Sequence, residues 1–311
     1  MSESRSPLRL VERLALLLTA LTYALLVLGN LVRSTNSGLS YLTWPLYQGR
    51  VIPDREFHVL MEFSHRALAG AVSLLLVVLA GAVLRSSETR SRLGGLLAVS
   101  IALIAMQIVL GALTVWKLLA PVVVIGHLAT GQLFFVSALL MHLTCLRDRE
   151  EWPRAGAAAP AGLAGLFTLC SLATFAQILL GGLVSANRAG LAVPTFPTAN
   201  GSWFPPLTGL VGLQMLHRDG AYVLAALLIY AALRGRRSSQ RKVRSSSTAL
   251  AGMIVIQILL GALNVLWRIP LWVTALHLAT ATGILAMCVS TAFRLGSVPA
   301  GRQAPAAAAA A

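Results

Sequence analysis

The chain has 311 residues, a mean hydropathy of +0.78 and only 11% charged side chains. This composition excludes a water-soluble globular protein and a disordered polar chain, and it indicates an integral membrane protein. The net charge of +15 would suit nucleic acid, but its distribution along the chain argues against such a partner.

Eight apolar runs are long enough to cross the ~30 Å hydrocarbon core at about 1.5 Å per residue. In chain order they cover roughly residues 11–33, 58–84, 95–116, 120–145, 160–184, 208–233, 248–267 and 271–294. Backbone groups in lipid need partners within the protein, and the runs are too long for barrel strands. We therefore predict an all-α integral membrane protein with eight transmembrane helices. The alanine-rich tail, about residues 297–311, is expected to be disordered.

Basic residues are concentrated on one side of the predicted spans. If the N-terminus is cytoplasmic, seventeen of the 25 Lys and Arg residues fall in cytoplasmic segments and six fall in external segments. This pattern follows the positive-inside rule, so the charge reflects the topology of a multi-pass protein and not binding to nucleic acid. We expect both termini in the cytoplasm and a solvated basic loop at 234–244, close to anionic membrane lipid.

The two halves of the chain match at an offset of 152 residues. GNLVRSTNSGLSYLTWPLYQG at 29–49 faces GGLVSANRAGLAVPTFPTANG at 181–201, with glycines and prolines at the same spacing. A segment of Gln, three apolar residues and Gly occurs three times, within 107–115, 177–185 and 257–265. We predict an internal duplication into residues 1–150 and 151–311. Because each half has an even number of spans, the two four-helix repeats are parallel, unlike those of inverted-repeat transporters.

Four of the six histidines lie on the even-numbered spans: His65, His127, His217 and His277. A lone membrane histidine is more often a hydrogen-bonded polar residue, but all four lie about six or seven residues, or roughly 10 Å, from the outer end of their spans. Separations of 62 and 60 residues pair His65 with His127 and His217 with His277. Two facing imidazoles among small residues suit an axially ligated haem, so we predict two bis-histidine haem sites. Zinc is a weaker alternative, because two histidines fall short of its usual ligand set.

The halves differ beside the histidines. Glu62 lies three residues before His65 on the same helix face, whereas Gln214 occupies the matching position in the second half. A carboxylate within a membrane span is costly and is a functional candidate, here for accepting a proton or stabilising positive charge. The alternative is a structural pair of Glu62 with Arg66 at i,i+4. We expect Arg66 and Arg218 to bind haem propionates, because guanidinium groups bind carboxylates bidentately.

Several segments together resemble the haem A synthase family. They are GNLVRSTNSGLS, WPL, GRVIP, EFSHR, VSANRAGLA, NGSWFPP and LHR, with the histidines of spans 4 and 8. The resemblance covers about residues 15–295 and implies eight helices in two four-helix halves. It also implies that haem O is the substrate, that its C8 methyl group is oxidised to a formyl group to give haem A, and that water supplies the oxygen.

The resemblance further implies residue roles and partners. His65 and His127 match the ligands of the substrate haem in the first half, and Glu62 matches the essential carboxylate. His217 and His277 match the ligands of haem b in the second half. Haem O synthase would supply the substrate, terminal oxidases would receive haem A, and a quinone is one candidate for the electron acceptor. The protein would lie in the inner (cell) membrane of a prokaryote, with its haem sites towards the outer face.

The chain departs from the family pattern in its outer loops. Tyr41 and Tyr47 stand where many members have a cysteine pair, and Val193 and Ala199 stand where some have a second pair. No disulfide can form at these places. Two functions of other classes stay open: a dihaem b-type electron-transfer cytochrome linked to quinol, and a haem carrier without catalysis. The cytochrome predicts little cost on replacing Glu62 with Gln.

Overall fold

The protein folds into eight long α-helices in the computed structural model, which describes residues 5–150 and 162–296. In chain order these are α1 (Arg5–Ser34), α2 (Phe57–Leu84), α3 (Ser87–Trp116), α4 (Pro121–Glu150), α5 (Leu163–Ala186), α6 (Gly209–Arg236), α7 (Arg241–Leu266) and α8 (Leu271–Gly296). All eight are long and apolar enough to cross a membrane, which confirms the predicted all-α membrane protein. The tail expected to be disordered, 297–311, and the start of the second half at 151–161 lie outside the described residues.

The prediction of a solvated loop at 234–244 is wrong for most of its length. Helix α6 continues to Arg236 and α7 begins at Arg241, so only residues 237–240 connect them. Helix α3 likewise begins at Ser87, well before its predicted span. Hydropathy marks where a helix leaves the hydrocarbon, but Arg, Lys and Gln favour helix and extend it beyond that boundary.

Each half of the chain forms a ring of four helices. In the first half α1 packs on α2 and α4, and α3 packs on α2 and α4; α5 to α8 repeat this arrangement. Helices α2 and α4, like α6 and α8, therefore occupy opposite corners of a ring and face each other across its interior. The rings meet through α1, α4, α5 and α8. These matching contacts agree with a duplication, which stays a prediction.

Two hydrogen bonds between the rings join positions that correspond in the two halves. Arg33 Nε donates to Ser185 Oγ at 2.8 Å, across an offset of 152 residues. Gln132 Nε2 donates to Thr282 Oγ1 at 3.0 Å, across an offset of 150, which is also the offset between His127 on α4 and His277 on α8. A residue that touches its own counterpart lies at the axis that would relate the halves. One contact is at the helix ends and the other within the helices, so such an axis runs along the bundle, as parallel repeats require.

The apolar core of each ring fills one end of it, away from the long loops that follow α1 and α5. In the first ring the buried cluster runs from Val72 to Val83 on α2 and from Phe134 to Cys145 on α4. The second ring has the corresponding cluster, which includes Phe167, Leu228, Leu250, Ile284 and Cys288. Neither cluster reaches the level of the four predicted histidines, which lie nearer the loops.

Candidate functional site

The four predicted histidines form two facing pairs, one in each ring. They lie eight residues into α2 and α6 and six residues into α4 and α8, or about 9 to 12 Å along each helix. His65 and His127 are close enough for their rings to interact electrostatically, and so are His217 and His277. The structure therefore brings together the two pairs that the spacing predicted.

Each imidazole packs on a glycine of the preceding helix. The four contacts are His65 on Gly29, His127 on Gly111, His217 on Gly181 and His277 on Gly261. A Cβ atom at these glycines would lie 3.0, 3.5, 2.8 and 3.3 Å, respectively, from the imidazole Cε1 atom. Ordinary carbon contacts are about 3.5–4.0 Å, so the missing side chain is what makes room for the ring, most clearly at Gly181 and Gly29.

Both four-helix rings contain buried imidazole nitrogens without a hydrogen-bond partner. The Nδ1 atoms of His65, His127 and His277 are buried with no hydrogen-bond partner, which is costly in a folded protein. No group of three or more His, Cys, Asp or Glu side chains that could hold a bare metal ion occurs in the described parts of the chain. Haem needs only two axial ligands, because its porphyrin supplies the others. Facing histidines above an apolar core therefore fit one haem in each ring.

Glu62, the predicted catalytic carboxylate, is buried and forms an ion pair with Arg66. Its Oε2 atom also accepts a hydrogen bond from the backbone N–H of Tyr41 at 3.2 Å. Arg66 Nη1 donates to the carbonyl oxygens of Thr43 and Pro45 at 3.1 and 3.2 Å. The i,i+4 pair is therefore present, and it ties the first long loop to α2 one turn from His65.

The second half also holds its long loop through this position and the following arginine, but with an amide in place of the carboxylate and so without the ion pair. Gln214 Oε1 accepts from the backbone N–H of Val193 at 2.5 Å, and its Nε2 donates to the carbonyl of Gly190 at 2.8 Å. Arg218 donates to the carbonyl oxygens of Val193 and Thr195 at 2.7 and 2.9 Å. Both arginines thus hold loop backbone, and their binding to haem propionates stays a prediction.

Side chains are packed in pairs at the four loop positions where the chain was expected to depart from the family pattern. The rings of Tyr41 and Tyr47 meet edge to face with centroids 5.3 Å apart. Burial raises the pKa of Tyr47 to about 12, and a hydrogen bond to Asp54 raises the pKa of Tyr41. In the second loop Val193 and Ala199 are buried together. Noncovalent contacts therefore bring together both pairs of positions.

Three glutamines touch the histidines, and sequence reasoning missed them. They lie four residues before a histidine-facing glycine, at Gln107, Gln177 and Gln257. Each side-chain Nε2 contacts the histidine of the next helix: the carbonyl of His127 at 2.8 Å, the carbonyl of His217 at 2.7 Å, and the ring of His277 at 3.3 Å. The recurring Gln and Gly at i,i+4 were a usable signal, because that spacing puts both on one helix face.

Known proteins match almost all of this chain. A model of a family described as cytochrome oxidase assembly protein matches residues 54–289, which include all four histidines. A haem A synthase of Methylobacterium sp. (strain 4-46) is 31% identical over 94% of this chain and 93% of its own. Those of Symbiobacterium thermophilum and Shouchella clausii are each 30% identical, over 85% and 70% of this chain and 89% and 74% of their own. These matches confirm the resemblance: the chain belongs to the haem A synthase family.

Proposed function

We propose that this multi-pass membrane protein is an oxidoreductase of haem biosynthesis that converts haem O into haem A. The observation that carries the proposal is one difference between two matched sites: Glu62 in the first ring against Gln214 in the second. The first half of the chain, residues 1–150, binds haem O through His65 and His127. The second half, residues 151–311, binds haem b through His217 and His277, and haem b supplies one-electron redox chemistry.

The proposed reaction oxidises the C8 methyl group of haem O to a formyl group. Each of two hydroxylations joins a water oxygen to the methyl carbon and releases two protons and two electrons. Loss of one water from the resulting diol leaves the aldehyde, so a single oxygen atom is retained. The electrons need an acceptor, for which we propose a membrane quinone. Haem O synthase is the proposed source of the substrate, and a terminal oxidase is the proposed destination of haem A.

Glu62 is the residue of the first ring that can take part in this chemistry. Its carboxylate, which is paired with Arg66, can accept a proton or stabilise positive charge that develops at the methyl carbon. The hydrogen bond from the backbone N–H of Tyr41 fixes the orientation of this carboxylate, which lies on the same face of α2 as His65. Gln214 keeps the loop contact but cannot be ionised, which suits a ring that holds a resident cofactor.

We further propose that the protein lies in the inner membrane of a prokaryotic cell with both termini in the cytoplasm. The excess of basic residues in the segments on that side supports this orientation. The histidine layers then lie towards the outer face, because α1 and α5 end, and the long loops begin, on that side.

The test is haem extraction and chromatography from cells that make this protein with haem O synthase and have no other source of haem A. Wild type is compared with Glu62→Gln, in which an amide can keep the Tyr41 hydrogen bond, as Gln214 does with Val193 in the second ring. Glu62→Ala, which loses the loop contact as well, is the control for structure. We expect haem A from wild type and unmodified haem O from Glu62→Gln.

Two other results would contradict the proposal in different ways. Haem A at the wild-type level from Glu62→Gln would make the carboxylate structural, acting through the loop alone. Unmodified haem O from wild type would exclude the enzyme and favour a dihaem cytochrome or a haem carrier.

A further inference from the structure

We propose that Gln107, Gln177 and Gln257 are positioning residues for three of the four haem ligands, and that Leu25 leaves His65 as the ligand without such an anchor. The inference rests on the proposed function, because it takes the four histidines as haem ligands. It adds a physical reason for one haem to stay bound while the other is exchanged.

A glycine and a glutamine one turn apart act together on each anchored histidine. The glycine lets the imidazole approach the neighbouring helix, and the glutamine amide bonds to the histidine. Gln177 Nε2 lies 2.7 Å from the carbonyl oxygen of His217 and 3.0 Å from its Nδ1. Gln107 bonds to the carbonyl of His127 at 2.8 Å and also to the hydroxyl of Thr130. A carbonyl oxygen that is already bonded within its helix can accept a second hydrogen bond, here from the glutamine amide. This bond fixes how the two neighbouring helices are rotated relative to each other at the level of the histidine.

The first ring lacks one of these anchors. On α1 the glycine that faces His65 is Gly29, and the residue four positions before it is Leu25. Leucine neither donates nor accepts a hydrogen bond, so His65 has no counterpart of the glutamine contacts made by the other three histidines. The second ring instead has a glutamine at both of its histidines, since Gln257 Nε2 lies 3.3 Å from His277 Nε2. The rings therefore differ in how firmly their ligands are held.

The contact with the ring nitrogen bears directly on ligation. A fixed neighbour at the ring sets the orientation of a histidine ligand. The amide of Gln177 donates to the carbonyl of His217 and lies 3.0 Å from Nδ1 of the same residue, so it limits the rotation of the imidazole. A rigidly held ligand keeps a resident cofactor bound. At His65, where the glutamine contact is missing, the substrate haem can enter and the product haem can leave more easily.

The test exchanges the two residues that the chain itself uses at this position. Gln177→Leu gives the second ring the leucine of the first, and Leu25→Gln gives the first ring the missing amide. The proteins are made with haem O synthase and purified intact in detergent. The readouts are haem content, haem loss to an added haem-free globin, the electron paramagnetic resonance spectrum of the ferric haems and the reduction potential of haem b. Gln132→Leu is the matched control, because Gln132 is buried and bonded to Thr282.

Gln177→Leu should lose haem b about 10- to 100-fold faster than wild type, the usual effect of removing an outer hydrogen bond from a ligand. Its haem b potential and its resonance spectrum should change, because the ring of His217 is no longer held in one orientation. Leu25→Gln should slow the loss of the haem in the first ring. Gln132→Leu should leave all four readouts at their wild-type values.

Wild-type haem loss, spectrum and potential in a folded Gln177→Leu protein would overturn the inference, and so would an equal effect in Gln132→Leu. Faster haem loss from Leu25→Gln would overturn the assignment of His65 as the less firmly held ligand. A wild-type protein that binds no haem b would instead overturn the proposed function, which is a separate result.

Discussion

Replacing Gly181 with alanine tests whether His217 needs a surface without a side chain. The new Cβ would lie 2.8 Å from Cε1 of His217, about 0.7 Å inside an ordinary carbon contact of ~3.5 Å. Ligands in functional sites must stay within about 0.5 Å of their working positions, so the imidazole is forced out of place. We expect Gly181→Ala to lose most of its haem b, measured as the haem-to-protein ratio of the purified protein.

Two other glycines provide graded controls. At Gly261 an alanine Cβ would lie 3.3 Å from Cε1 of His277, only about 0.2 Å inside the same limit, so Gly261→Ala should keep its haem b. At Gly70 an added Cβ meets nothing within 4 Å, and Gly70→Ala should resemble wild type. The reasoning is refuted if a folded Gly181→Ala protein keeps its haem, or loses no more of it than Gly261→Ala.

Three further changes test the loops and the contact between the rings. Arg218→Leu removes charge-assisted bonds worth ~1.5–3 kcal/mol, so limited proteolysis of the second long loop should speed up at least roughly ten-fold; an unchanged rate would exclude the anchor. Gln132→Leu should lower the free energy of unfolding by about 1 kcal/mol in thermal unfolding, and adding Thr282→Val should recover part of it, whereas no loss would contradict a structural role. The Tyr41 hydrogen bond helps to lower the pKa of Asp54 below 3.8. The hydrogen bond should stabilise the first loop above pH 3.8, and this stabilisation should be lost as the pH falls through the lowered pKa of Asp54. We expect pepsin to cleave the loop faster only below that lowered pKa. Faster cleavage that begins at higher pH would contradict the prediction.

The membrane fold and the histidine pairs could be predicted because both depend on spacing along single helices. Apolar runs fix the number of spans, and the positions of His65 and His127 within their spans fix their depth. The pairing did not require knowing which helices lie opposite each other, because the common depth and the separations of 62 and 60 residues were enough.

Contacts between elements could not be predicted in the same way. Arg66 was expected to bind a haem propionate, but its contacts with the carbonyls of Thr43 and Pro45 depend on how the first long loop folds over α2. The repeated Gln and Gly were seen, but their contact with a histidine depends on which neighbouring helix faces them. The basic segment at 234–244 was misassigned because leaving the hydrocarbon does not end a helix.

The central claim is that the first ring binds haem O and the second ring binds haem b. Removing both histidines of one ring at a time tests this claim most directly. One variant replaces His65 and His127 with alanine, another replaces His217 and His277, and both are made with haem O synthase. Chromatography of the haems that each purified protein retains should show only haem b in the first variant and only haem O or its oxidised products in the second. The same mixture of haems in both variants would contradict the claim.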